Sequence, residues 1–294
     1  MGWNLIKTSL SEFTPSNTFF IGQVFNWTYV SERYVGCLSN KLLEIRTTDL
    51  GFEWKLTPQG SEQEVVKFLN LDIDLLECYQ EWKKDALFEE AWKVKPGVRI
   101  VKQNAFECTM AFIVSQNNNV KRIERNLNSI RTAYGELITE KHGKKWYSFP
   151  TPEQLSLATR EDLLKLGLGY RAKYIVGAVR KIIDNGGENW LESLKELPQE
   201  EAKSNLMQLN GVGPKVADCI LLFGLNKFSV VPIDIHMWRI AQNHYMKKKT
   251  DKLNKKSYSM AVEAIQEALG SYAGWAHSFL YATSLSKPLK RKIK

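Results

Sequence analysis

Near residue 62 the spacing of apolar residues changes from a period of two to that of a helix, and a chain with such a switch must join a sheet to a helical body. Before the switch, FFIGQVFNW, YVGCLSN, KLLEIRTT and FEWKL are short β-branched or aromatic runs separated by polar or glycine-bearing breaks, and all four read as strands. In FEWKL, Phe52, Trp54 and Leu56 share one face, which suits an antiparallel sheet with one face covered. After the switch, Val120, Ile123, Leu127 and Ile130 mark an amphipathic helix with Lys121, Arg122 and Arg125 on its other faces. Thr151-Pro152-Glu153-Gln154 has the form of a capping box with proline at the first helical position. Ile175, Val179, Ile182 and Ile183 mark another helix, closed by Asn185-Gly186-Gly187. Further helices are expected after Pro198, Pro214 and Asp234. The expected fold class is α+β: an N-terminal antiparallel β-sheet unit packed on a larger, mostly α-helical one, with no internal repeat and no long linker.

A chain of 294 residues supports one or two cores. Its formal charge of +9 favours a polyanionic partner, nucleic acid being the commonest, although a solubilising surface gives the same count. Cys37, Cys78, Cys108 and Cys219 form no C-x-x-C pair and the four histidines have no zinc spacing, so no metal site is expected and a reduced, intracellular protein fits. The N-terminus lacks a signal-peptide layout, no apolar run is long enough to span a membrane, and Ile6 stands where a myristoylation signal needs Ser or Thr. The lysine run 247–256 reads as a solvated loop. KPLKRKIK at 287–294 reads as a solvated tail or a nuclear-import patch, which would place the protein in the nucleus.

The chemistry concentrates in LNGVGPKVADCI, residues 209–220. Gly211 and Gly213 permit positive φ and close backbone approach, and Pro214 suits a first helical turn. Exposed amides at a tight turn feeding a helix N-terminus make a phosphate site, as in a helix-hairpin-helix that grips DNA without reading sequence. An ordinary interhelical turn has the same ingredients. Lys215 sits in the first turn, where the macrodipole disfavours its charge and so favours the neutral, nucleophilic amine; a phosphate contact or a solvated lysine is the alternative. Cys219 shares its helix face, as a small core residue also would. In VVPIDIHMWRI, Asp234 is an N-cap, and a capping carboxylate facing a neutral lysine can also stabilise positive charge developing on a sugar.

At these residues the chain resembles the helix-hairpin-helix DNA glycosylase superfamily, specifically the eukaryotic-type 8-oxoguanine DNA glycosylase/AP lyase. The resemblance extends to IGQVFNW, AFECTMAFIVSQNNNVKRI, LGLGYRAKYI and GSYAGWAH, in the family's order. It implies a sheet domain of the family's N-terminal type, with a flanking helix, over 1–100 and a helical glycosylase domain over 101–294. It implies Lys215 as nucleophile and Schiff-base former and Asp234 as catalytic carboxylate. It places the flipped base between Cys219 and Tyr281, lined by Pro232, with the Gly22 carbonyl reading the N7–H that 8-oxoguanine carries and guanine lacks. It gives the vacated stack to Asn117 with Tyr170 wedging beside it, and the estranged cytosine to Arg122 and Arg171. It gives DNA phosphate to Gly211, Val212, Gly213 and His236. On spacing alone the asparagine run is a helix stop, Arg122 a solvated face and His236 a packed residue. The implied partner is damaged double-stranded DNA, met by a monomer with no membrane association. No cofactor is required, while a monovalent cation at the hairpin carbonyls is admitted.

Two positions depart from the family pattern. His277 stands where a glutamine reads the lesion's Watson–Crick face, and a neutral histidine accepts one hydrogen bond without matching an amide's donor–acceptor pair. Ser284 replaces an aspartate that supports the first helix histidine, while Asn210 in place of proline looks harmless. Alkyl-purine glycosylases lack the lysine, and iron–sulfur relatives need cysteines after Cys219, where this chain has none. A non-catalytic DNA-binding hairpin explains the charge but gives Lys215 and Asp234 no joint role.

Overall fold

The computed structural model describes residues 2–286; the lysine-rich segment 287–294, with its nuclear-import reading, lies outside the described residues. Strands β1 (Asn4–Lys7), β2 (Trp27–Val30), β3 (Arg33–Leu38), β4 (Lys41–Thr48) and β5 (Gly51–Thr57) form one antiparallel sheet in the order β1-β5-β4-β3-β2. The alternation in β5 behaves as its side chains dictate, with Phe52, Trp54 and Leu56 all buried. In the central strand β4, Leu43 and Ile45 enter that same core, while Leu42 faces the opposite side.

That opposite side is where the structure departs from a sheet with one covered face. A hairpin of β6 (Leu137–Lys141) and β7 (Lys144–Tyr147) lays Trp146 against Val35, Cys37 and Leu42. Glu44, fully buried on this side, is met by Lys141, by His142 at 2.9 Å and by Arg33 at 3.4 Å. Three polar partners, two of them cations, let a carboxylate stay buried that could not be buried alone. Burial, the largest single influence, pushes its pKa up, but contacts with Lys141 and His142 outweigh it and hold the value below the ordinary one.

FFIGQVFNW is not a strand. Pro15–Phe19 is a short helix, residues 20–26 form a loop, and only Trp27 begins β2. Gly22 has φ +78°, which breaks the extended path. The buried Gln23 amide then does the work of a neighbouring strand: its Nε2 donates to the Thr18 and Arg99 carbonyls at 2.7 Å each, and its Oε1 accepts from Val101 N–H at 3.1 Å. The amide thereby gives backbone groups of two separate segments the partners that a neighbouring strand would supply.

The helical body is built round Ala105–Ser115, in which nine of eleven residues are buried, as a helix apolar on every face must be. In Val120–Tyr134, Ile123, Leu127 and Ile130 enter the core, whereas Val120 at its N-terminus is half exposed. Thr151 and Gln154 form the expected capping box, and helices Arg171–Asp184, Gln199–Leu206, Pro214–Phe223 and Ile235–Ile240 stand where expected. Helix Ala86–Val94 packs on the C-terminal helix Ala273–Ser286. The connecting segment 97–101 binds both units: Gln23 takes the Arg99 carbonyl and Trp275 Nε1–H donates to the Val98 carbonyl at 2.9 Å. The buried Arg99 guanidinium meets Glu12 at 2.5 Å. Among the described residues no helix is long and apolar enough to cross a membrane.

Candidate active site

The turn between Gln199–Leu206 and Pro214–Phe223 needs glycine once. Gly211 has φ +82°, and a Cβ there would lie 2.8 Å from the Tyr174 ring. Gly213 differs from expectation: its φ of −97° is open to any residue. A Cβ at Gly213 meets nothing within 4 Å, so this glycine keeps the approach to the helix N-terminus clear. Val212 is buried, and its N–H donates to the Leu209 carbonyl, so it anchors the turn and offers a ligand its carbonyl rather than its amide.

Pro214 starts the next helix, which carries Lys215 on its first turn and Cys219 one turn on. The Lys215 ammonium lies 5.1 Å from the Phe112 ring centroid. Burial pushes the Cys219 thiol up to about 11, opposed by the charge and hydrogen bond of Lys215. Asp234 caps Ile235–Ile240, its Oδ1 accepting from His236 N–H and Met237 N–H at 2.9 Å each. Both bonds use one oxygen, which leaves Oδ2 for whatever enters the cavity that Asp234 lines. Behind these groups, Asp218 Oδ2 accepts from Lys203 at 3.0 Å and from the Tyr258 hydroxyl at 2.5 Å. Tyr258 in turn accepts from Ile233 N–H at 3.2 Å, tying the lysine helix to the residue before Asp234. No local pattern signals this brace, because its members are far apart along the chain.

One cavity, with a volume of about 40 Å³, gathers Gly22, Lys215, Cys219, Pro232, Asp234, His277 and Tyr281. Its walls also include Phe112 and Gln23, which sequence reasoning did not single out. Phe112 lies in a uniformly apolar helix where nothing distinguishes a pocket wall from core; Gln23 stood in a motif of which only Gly22 was read. Gly22 faces Tyr281, whose ring and hydroxyl would lie 4.0 Å from a Cβ at Gly22. His277 and Tyr281 are one helical turn apart, with near-parallel rings and centroids at 6.0 Å. Burial brings His277 down to about 4, with the Asp234 charge and the Gly274 and Pro232 carbonyls opposing, so the imidazole is neutral near pH 7.

The remaining predicted residues flank the cavity or stand apart from it. The His236 ring meets Tyr281 edge-on at 6.1 Å, and the Ser284 hydroxyl donates to the Tyr281 carbonyl of its own helix at 2.7 Å. The three asparagines divide their work. Asn118 donates to the Val114 carbonyl, Asn119 caps the next helix, and Asn117 is exposed with φ +47°. Tyr170 is half exposed and donates its hydroxyl to the Gln116 carbonyl at 3.1 Å. Arg171, expected to offer free donors, is instead buried: Nε donates to the Gln116 carbonyl at 3.0 Å and Nη2 to the Asn117 carbonyl at 2.9 Å. Its donors hold the asparagine loop, because a buried guanidinium must satisfy itself on nearby carbonyls. Arg122 is exposed on the helix that this loop begins. Among the described residues no group of three or more His, Cys, Asp or Glu could hold a metal ion.

Two family models cover the chain. Residues 5–109 match the 8-oxoguanine DNA glycosylase N-terminal domain, and residues 110–266 match the HhH-GPD superfamily of base excision DNA repair proteins. The N-glycosylase/DNA lyase OGG1 of Arabidopsis thaliana is 34% identical over 96% of this chain and 80% of its own length. The chain belongs to the 8-oxoguanine DNA glycosylase family. This glycosylase is a base-excision DNA N-glycosylase with AP lyase activity. The Saccharomyces cerevisiae N-glycosylase/DNA lyase is also 34% identical, over 94% of the glycosylase and 84% of its own chain. The Clostridium acetobutylicum 8-oxoguanine glycosylase/lyase, solved with double-stranded DNA containing cytosine opposite 8-oxoguanine, superposes with a TM-score of 0.84 at 29% identity, covering 93% of the glycosylase and 92% of that chain.

Proposed function

We propose that this glycosylase removes 8-oxoguanine paired with cytosine from duplex DNA and then nicks the strand by β-elimination. The observation that carries the reading is the convergence of Gly22, Lys215 and Asp234 on one cavity walled by Cys219 and Tyr281. The flipped base lies between the Cys219 thiol and the Tyr281 ring, leaving the stack that Asn117 and Tyr170 fill. Its N7–H donates to the Gly22 carbonyl, a bond that guanine cannot make. Lys215 Nζ bonds to the sugar C1′ as the glycosidic bond breaks, and the base leaves with the electron pair and a proton. Asp234 Oδ2 stabilises the positive charge that develops on the sugar. The C1′–O4′ bond then breaks, O4′ taking a proton while the nitrogen lone pair forms the C=N bond of a protonated Schiff base; loss of a C2′ proton to this electron sink gives an enamine that expels the 3′ phosphate. The lysine nitrogen supplies the chemistry, so no cofactor is required, and a monovalent cation at the hairpin carbonyls would only brace the phosphate grip. The enzyme acts as a monomer on damaged duplex DNA in the nucleus.

Borohydride trapping on a duplex carrying 8-oxoguanine opposite cytosine tests the reading. Wild type gives a covalent protein–DNA adduct and Lys215→Gln gives none. A wild-type protein that leaves no adduct refutes the lyase mechanism, and equal trapping on every lesion and opposing base refutes the substrate assignment.

A further inference from the structure

A second groove, sharing no residue with the catalytic cavity, runs between helix Val120–Tyr134, the start of β2 and the hairpin strand β7. Lys121 and Arg125 project into it from the helix, one turn apart, and Lys144 and Lys145 from β7. All four are exposed. Lys144 sets its ammonium over the Trp146 ring, 3.7 Å from the centroid, rather than against a carboxylate. Burial holds its pKa below the ordinary lysine value. Beneath them Arg131, 4% exposed, is paired with Glu107. Glu124 is the carboxylate among the lining residues, and burial raises its pKa toward the neutral form. A groove with this surplus of donors and positive charge is made for an anion with repeated acceptors.

The helix says which anion. Its first turn follows directly on Asn119 of the asparagine loop, and the groove extends along it through Lys121, Arg125 and Asn128. From Asn119 to Asn128 the helix rises roughly 14 Å, the axial length of about four base pairs. We infer that this groove binds the phosphodiester backbone of duplex DNA flanking the lesion, as a second contact tract that leads away from the asparagine loop. The inference rests on the proposed reading of Asn117 as the residue that enters the duplex. The tract positions DNA and takes no part in the chemistry.

Lys144→Glu/Lys145→Glu tests it against a matched pair outside the groove, Lys83→Glu/Lys84→Glu, which is equally exposed and carries the same change in charge. Binding is measured over a range of salt on two lesion duplexes, a short one ending about two base pairs from the lesion on the side that meets the groove and a long one extending well beyond on both sides. On the long duplex the groove variant is expected to lower the slope of log K against log salt by about 2, at roughly 0.9 per phosphate contact. The control pair should change the slope by less than half of that. On the short duplex, single-turnover base release by the groove variant should match wild type, and Lys144→Arg/Lys145→Arg should restore the long-duplex slope. Equal effects of the groove and control pairs overturn the inference, as does an equal loss on both duplexes. Base release on the short duplex reports on Lys215 alone, so normal release without a length-dependent term removes this tract and leaves the proposed activity standing.

Discussion

On the proposed mechanism Asp234 holds two jobs on two oxygens, and a pair of substitutions separates them. Oδ1 accepts from His236 N–H and Met237 N–H at 2.9 Å each, while Oδ2 is left for the cavity. Asparagine caps a helix about as well as aspartate, so Asp234→Asn should keep both bonds and change stability by less than about 0.5 kcal/mol. Alanine loses both. At about 1 kcal/mol per cap or hydrogen bond, Asp234→Ala should cost between about 1 and 2 kcal/mol. Helix Ile235–Ile240 has six residues and few bonds with which to absorb that loss. Removing the negative charge from beside the sugar is a separate effect. A charge aimed at a transition state in a dry site contributes about 3–4 kcal/mol, so both variants should slow base release by roughly 100- to 1,000-fold. Urea unfolding measures the first effect, and single-turnover release of the lesion base under saturating enzyme measures the second. An asparagine variant that releases base at the wild-type rate would confine Asp234 to capping. One as unstable as the alanine variant would show that the cap geometry is wrong.

Three further outcomes follow from the same coordinates. His277 is neutral in the fold with its pKa brought down to about 4, so the unfolded chain binds the extra proton first; stability should fall as pH drops from about 6.5 to about 4, by roughly 3 kcal/mol. In His277→Gln that part of the pH slope should vanish from urea titrations, and an unchanged slope would contradict the neutral assignment. Gly211→Ala places a left-handed backbone, costing about 1–2 kcal/mol, and a methyl 2.8 Å from the Tyr174 ring at the hairpin. Duplex affinity should fall while catalytic groups stay in place, and a wild-type Kd would refute the grip assigned to this turn. Glu12→Ala leaves the buried Arg99 charge without its carboxylate, at a cost of about 3–5 kcal/mol, and chemical denaturation showing less than about 1 kcal/mol would mean the pair is dispensable.

Legibility in the sequence followed the physics of each segment. The strand β5 and the helices after Pro198, Pro214 and Asp234 were readable because periodicity and capping chemistry act within a few residues. The hairpin of β6 and β7 was not, since LITEKHGKKWY carries charge at four of its eleven positions and its Trp146 is the main sign of a covered face. FFIGQVFNW misled for the opposite reason. Its apolar, aromatic character is real, but a glycine at φ +78° breaks the path and the side-chain amide that replaces strand partners finds them 76 to 78 positions away. At the site, the motif resemblance supplied Lys215, Asp234, Gly22, Cys219, Pro232, His277 and Tyr281, which the fold brings together. It missed the inward turn of Arg171 and the Asp218–Tyr258 brace, both of which depend on contacts that no local pattern encodes.

Gly22 belongs to the loop that precedes β2, whereas Lys215 and Asp234 belong to the helical body. On the proposed reading, inspection and attack come from distant stretches of the chain, and the Gln23 amide, holding residues 99–101, ties the inspecting loop to the rest of the fold. The arrangement would work as an AND gate. The lysine would attack any sugar it met, and the carbonyl that vets the base would be inert alone; a selective enzyme needs both. A chain without that loop would retain the nucleophile and lose the inspector. Conversely, changes in the loop that carries Gly22 can retune which bases pass without touching the residues that cut.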